Sequence, residues 1–411
     1  MKAFTRLWTV EEALEHFLTV ADPKPRGREV VPLERSLDRV VAEDLTAPED
    51  LPAFDRSTVD GFAVRSEDVR NTTPDRPVTL RLVAEVRMGE LTAFGLHPGE
   101  AARVPTGGML PSGSDAVVMQ EHCRVEDGRV VVLRGVGAWE NVIRQGEDIR
   151  RGEVAVRWGT RIRPQELALL AGLGITEVPV HLPPRVAVYS SGDEVVPPDH
   201  RPRPGQIRDM NTSSLTGQVA RLGAVPKPGG ILPDDELIVT SAVQDALRTS
   251  EVVLVSGGSS VGSRDVLEAV IPRLGRPGIV VHGVAIKPGK PTILAVCDGR
   301  IVAGLPGHPV SAMVVFDVLI RPVLEAMLGL RAELRGPRRM RARLVESLRA
   351  PDDRDEFVRV AVRWEGEEPV AEPVLGKSGI ITTMTRADGY VRVPMGVLFP
   401  VGRAVEVRLF D

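Results

Sequence analysis

The spacing of hydrophobic positions along this chain changes period several times, and the changes divide it. Between Trp8 and Val20, the residues Val10, Ala13, Leu14, Phe17 and Leu18 recur at three- and four-residue intervals, which predicts an amphipathic helix. Thr9 followed by Glu12 forms a capping-box pattern at its start. Leu51-Pro52-Ala53-Phe54-Asp55 is hostile to helix, and Asp60-Gly61 signals a turn. The period then falls to two. Residues 78–86 alternate, while 116–125 and 129–133, joined by Asp127-Gly128, predict a hairpin with a type I′-compatible turn. The range 46–140 therefore reads as an inserted β-rich domain, leaving 1–45 and 141–184 as a discontinuous N-terminal helical and mixed domain. A helix with proline in its first turn is expected over 163–170.

Residues 185–330 alternate between the two periods. Strands are predicted at 186–190, 252–255, 279–286, 292–297 and 300–304, and helices at 212–222, 235–247, 264–274 and 310–328. Such alternation argues for a three-layer α/β domain, a mostly parallel sheet with helices on both faces. Past Arg331 the period is two again at 356–364 and 404–410, so 331–411 reads as a small C-terminal β-barrel or sandwich. The fold class is multidomain α/β plus β.

Ligands in α/β sheets collect at the carboxyl ends of the strands. Four loops fall there: Gly192-Asp193-Glu194, Ser256 to Asp265, Lys287 to Lys290, and Pro306 to Pro309. The second runs from a buried strand through Ser256-Gly257-Gly258-Ser259-Ser260 into a helix start, which leaves backbone N–H groups free to hold an anion. Taken alone it is equally a tight βα turn. Glu194, Asp234 and Asp265 supply carboxylates suited to Mg²⁺ beside phosphate, and Ser311 adds a hydroxyl. Gly307-His308 reads as a turn, and no nucleophile triad or zinc spacing is legible.

Composition sharpens one feature. The chain has six lysines among 52 basic residues, so a surviving lysine is one that arginine does not replace. Lys287 and Lys290 share the short segment KPGK and suit a phosphate or other oxyanion. The rim describes a site for a phosphorylated, nucleotide-bearing ligand with a divalent metal. A net charge of −4 gives no reason to expect nucleic acid. Two cysteines fit a reducing compartment, and neither a signal peptide nor a membrane span is evident. A soluble, cytoplasmic protein is expected.

Nine ordered segments then carry a resemblance. FDRSTVDGFA (54–63), RVPTG (103–107), DAVVMQE (115–121), RQGED (144–148), SSGDE (190–194), GQIRDMN (205–211), SGGSSVGSRD (256–265), AIKPGKP (285–291) and GLPGHPVS (304–311) resemble the motifs of the molybdopterin molybdenumtransferase (molybdenum insertase) family, which includes the E domain of gephyrin. The resemblance covers essentially the whole chain. It implies a MogA-like α/β domain and an elongated homodimer formed through the N-terminal domain, with sites between subunits. It implies transfer of molybdenum from molybdate into adenylylated molybdopterin with release of AMP and with Mg²⁺, and it allows the molybdopterin adenylyltransferase as a partner.

By motif position, the resemblance makes Asp60, Thr106, Asp148, Glu194, Asp234 and Asp265 the functional polar residues, Asp234 and Asp265 positioning the metal. Ser256, Gly257, Gly258 and Ser259 would line the ligand through their backbone. Lys287, Lys290 and Ser311 would contact molybdate and phosphate, Pro306 and Pro309 would shape the adjoining loop, and Arg359 and Ser378 would be the C-terminal domain's contribution. The chain departs from the family pattern at Gly283, commonly Lys, at His308, usually Asn, and at Val59 and Phe62, usually Met and Tyr. Losing a cation at 283 is expected to weaken an anion site. A paralogue that binds a pterin or nucleotide without turnover, or a dimeric scaffold, are the alternative readings.

Overall fold

The computed structural model describes residues 7–257 and 266–410. Its centre is a six-stranded sheet in the order Val225–Leu232, Arg185–Ser191, Val252–Ser256, Arg300–Leu305, Ile293–Cys297, Pro277–His282. The first four strands are mutually parallel, and of the six only Ile293–Cys297 runs antiparallel to its neighbours. Val252 to Val255 are fully buried, as expected for strands covered on both faces. Asn211–Arg221 and the helix from Pro309 pack Leu215, Val219, Val310 and Val314 on one face. Glu236–Thr249 and Val266–Val270 pack Val239, Val243, Leu267 and Val270 on the other. The layering expected from the alternation is present.

Several elements differ from expectation. Val225–Leu232 reads VPKPGGIL, too rich in proline to suggest a strand. It forms because it lies at the sheet edge and pairs on one side only, where a missing N–H leaves no ladder bond unmade. The strand expected at 279–286 ends at His282, because Gly283 adopts φ +82°. Its last residues cross to the C-terminal unit, where Ile286 and Lys287 pair with Asp355 and Glu356. The strand expected at 116–125 is broken by a 3-10 turn at Gln120–His122. The hairpin turn itself forms, with Asp127 and Gly128 at φ +45° and +73°.

The first helix, Val10–Ala21, keeps its capping box, with Glu12 N–H donating to Thr9 Oγ1 at 3.2 Å. Sequence order placed it with 141–184. Its buried Val10, Ala13 and Phe17 instead join the core of the α/β layer. What does unite the early and later segments is pairing of Arg28–Pro32 with Glu177–His181 and of Leu45–Thr46 with Val154–Val156. The intervening β-rich unit is a six-stranded sheet spanning Gly61–Val64 to Arg129–Val132. At the C-terminus, Arg339–Leu344, Asp355–Glu365, Glu368–Pro373, Gly389–Val393 and Ala404–Leu409 close into a five-stranded barrel.

The expected helix 310–328 runs from Pro309 but widens to a π turn at Phe316–Ile320. Here buried Asp317 accepts from Arg321 Nε at 2.5 Å and from the hydroxyl of Tyr390 on the barrel. Arg321 also lies 3.8 Å from buried Glu325, which accepts the Gly336 N–H at 2.8 Å. This polar cluster joins helix, linker and barrel. No helix among the described residues is long and apolar enough to cross a membrane.

Candidate functional site

The carboxyl ends of the central strands and the near wall of the barrel enclose a cleft of about 1120 Å³. Its floor begins at Ser256, where the buried strand ends. The Ser190 hydroxyl donates to Asp209 at 2.6 Å and lies 3.4 Å from that of Ser256. Asp209 in turn accepts the Thr212 N–H at 3.1 Å, holding the start of helix Asn211–Arg221. Asn211 donates to Gly307 O at 2.8 Å, while its buried Oδ1 has no partner among the described residues. These bonds fix the Pro306-to-Pro309 loop, and Ser311 follows it at 4% exposure. Gly257 sits at φ +99°, and a Cβ there would lie 2.2 Å from Ser191 O.

Opposite the floor, Lys287 and Lys290 line the cleft. Lys287 Nζ pairs with Glu356 of the barrel at 2.9 Å. Arg359 enters from the same barrel strand, only 6% exposed. Its Nη2 donates to Gly376 O at 2.7 Å, and its buried Nε has no partner among the described residues. Burial pulls its pKa down and the Glu356 charge opposes this. Ser378 closes the mouth, its hydroxyl 2.9 Å from His308 Nδ1.

The cleft thus brings together Glu194, Asp234, Ser256, Gly257, Lys287, Lys290, Pro306, Pro309, Ser311, Arg359 and Ser378. Gly258, Ser259 and Asp265 lie outside the described residues. Burial and the neighbouring charges of Asp193 and Glu194 raise the Asp234 carboxyl above its ordinary pKa. A concentration of hard oxygen donors whose like charges repel suits a divalent cation such as Mg²⁺. Among the described residues no three such groups are already gathered for an ion.

Asp60, Thr106 and Asp148 do not line this cleft. Asp60 accepts both the N–H (2.8 Å) and the hydroxyl (3.0 Å) of Thr106 on the β-rich unit. Those two bonds, the backbone one first, hold its carboxyl below the ordinary range. Thr106→Ala keeps the N–H and removes the hydroxyl, so the Asp60 pKa should rise part of the way back. An NMR titration of the Asp60 carboxyl checks this. Asp148 is exposed on its turn, its N–H donating to Leu51 O at 3.1 Å.

Sequence reasoning did not single out Lys377, Asp209, Asn211 or Glu356, all of which line the cleft or brace it. A signal existed for Lys377. Three of the six lysines in the chain, Lys287, Lys290 and Lys377, line this cleft. The scarcity argument applied to all six, not only to the adjacent pair.

Three family models match in order along the chain: "MoeA N-terminal region (domain I and II)" over 8–174, "Probable molybdopterin binding domain" over 187–326, and "MoeA C-terminal region (domain IV)" over 341–410. A Bacillus subtilis protein named molybdopterin molybdenumtransferase is 33% identical over 393 residues, covering 93% of this chain and 89% of its own length. One of the same name from Synechococcus elongatus is 36% identical over 402 residues, covering 96% and 98%. The crystal structure of the molybdopterin biosynthesis moeA protein from Pyrococcus horikoshii OT3 superposes with a TM-score of 0.85 at 30% identity, over 98% of this chain and 100% of that one.

Proposed function

Because the chain belongs to the molybdopterin molybdenumtransferase family, an enzyme family of molybdenum cofactor biosynthesis, we propose that its cleft takes adenylylated molybdopterin and molybdate together, inserts molybdenum and releases AMP. The observation that carries this reading is the convergence of three of six lysines with buried Arg359 on one cleft. Molybdate is a tetrahedral dianion and the adenylate carries a charged phosphoanhydride linkage. Both call for cations and N–H or O–H donors. Cleaving the phosphoanhydride-type bond consumes one water, whose oxygen ends on a phosphate, and needs neutralised charge and a fixed geometry more than a side-chain nucleophile. Lys287, Lys290 and Lys377 bind and orient the anions, and Ser311 and Ser378 offer hydroxyls.

Mg²⁺, when bound, offsets charge on the phosphate oxygens, and Asp234 together with Asp265 would hold it. Asp234→Asn should raise the melting temperature of the metal-free protein slightly, because the raised pKa marks an ionised form the fold disfavours. That gain should grow as pH rises through the folded pKa. The same variant should lose most of the stabilisation that added Mg²⁺ gives the parent. Thermal melts with and without Mg²⁺ measure both.

A cytoplasmic homodimer fits this reading. Asp60, Thr106 and Asp148 lie off the cleft of their own chain, so they act on the partner's, and the adenylyltransferase that makes the substrate is a natural donor to it. The non-turnover reading rests on two departures from the family pattern, His308, which lines the cleft, and Gly283. The latter is buried, with N–H bonded to Thr292 O at 2.9 Å and φ +82°, and is not part of the cleft lining. A lysine there would be strained, and Lys377 supplies a third lysine from the barrel side. Incubation with adenylylated molybdopterin, molybdate and Mg²⁺ should release AMP. Tight pterin binding with no AMP would favour the non-turnover reading instead.

A further inference from the structure

The mouth of the cleft holds one contact that the transfer chemistry leaves unused. His308, at the turn before helix Pro309–Val315, places Nδ1 2.9 Å from Ser378 Oγ on the barrel side. The two residues are seventy positions apart. The Ser378 carbonyl also accepts the Val310 N–H at 3.2 Å, and Arg359 anchors Gly376 of the same strap. The backbone of the strap is therefore held without His308. What His308 bears on is the direction of the Ser378 hydroxyl proton.

A hydroxyl has one proton to give. When Nδ1 is bare, Ser378 donates to the ring and turns only lone pairs toward the cleft, which repels an oxyanion. When Nδ1 carries hydrogen, the ring donates to Ser378 and the hydroxyl proton is free to point inward. We propose that His308 is a positioning residue: its Nδ1–H donates to Ser378 Oγ and so orients the Ser378 hydroxyl as a donor to the tetrahedral oxyanion in the cleft. This rests on the cleft being the oxyanion site of the proposed function. Asparagine has an amide nitrogen at the same distance from its backbone as Nδ1, so it would serve the same role. Phenylalanine keeps the ring and offers no donor.

The test is molybdate binding by calorimetry to the full chain, with His308→Phe, His308→Asn, Ser378→Ala and the double variant His308→Phe/Ser378→Ala. Loss of one donor to a charged ligand weakens binding about tenfold, as expected for Ser378→Ala, whereas His308→Phe leaves the hydroxyl present but unguided and should lose a smaller part of that affinity. The double variant should be no weaker than Ser378→Ala alone, and His308→Asn should restore parental affinity. Melting temperatures should stay together across the set, because the strap keeps its backbone bonds. Multiplying losses in the double variant, or failure of His308→Asn to restore, overturns the inference while leaving the cleft's function standing. Absence of molybdate binding in the parent overturns both.

Discussion

Arg321→Ala is expected to lower the unfolding free energy by about 3–5 kcal/mol, the usual cost of leaving buried charges without their partner. Asp317 and Glu325 are 7% and 3% exposed, and Arg321 is their shared cation. Removing it leaves two carboxylates in the seam between the long helix and the barrel, with the Tyr390 hydroxyl still bonded to one of them. Burial already raises the Glu325 pKa above its ordinary value, with Gly336 N–H and Arg321 opposing it. Without Arg321 it must rise further. The folded state then binds more protons than the unfolded one, so stability falls as pH rises. The deficit of the variant should therefore be smaller at pH 5 than at pH 8. Urea unfolding at both values measures it. A triple replacement, Asp317→Leu/Arg321→Met/Glu325→Leu, should cost less than the single change, because nothing charged is then left unpaired.

Gly257→Ala should reduce AMP release by about a hundredfold or more, the penalty expected when reacting groups shift by an ångström. The methyl group would fall 2.2 Å from Ser191 O, on a backbone with φ +99°. Neither neighbour is a flexible side chain. Ser191 O belongs to the adjacent parallel strand, and the Gly257 N–H is bonded to Leu305 O at 3.1 Å on the other side. The strand end must move, carrying Ser256 and the Pro306 loop with it. Far-ultraviolet circular dichroism should be unchanged while turnover collapses. Unaltered turnover would show that the floor of the cleft is not where the reaction occurs.

Local pattern carried the architecture as far as each element obeyed its own period. The buried parallel strands and the helices Asn211–Arg221 and Glu236–Thr249 were legible because burial on two faces, or on one, writes itself into the spacing of Val, Leu and Ile. Val225–Leu232 was not, because an edge strand tolerates the prolines that hide it. The barrel side of the site was beyond reach for a different reason. Lys287 meets Glu356, and His308 meets Ser378, only because a two-residue pairing at Ile286 and Lys287 folds the barrel onto the sheet. No periodicity reports such a closure. Asp209 and Asn211 sat within a recognised segment, but their bonds to Ser190 and Gly307 exist only once strand and loop are adjacent.

The central claim is that one cleft couples adenylate cleavage to molybdenum insertion. A single-turnover reaction with adenylylated molybdopterin, molybdate and Mg²⁺, quenched and split for AMP and for pterin-bound molybdenum, tests it most directly. The account predicts equal amounts of the two, rising together and falling together when Lys287 and Lys290 are both replaced by alanine. AMP accumulating with no molybdenum in the pterin would contradict it, as would neither product forming.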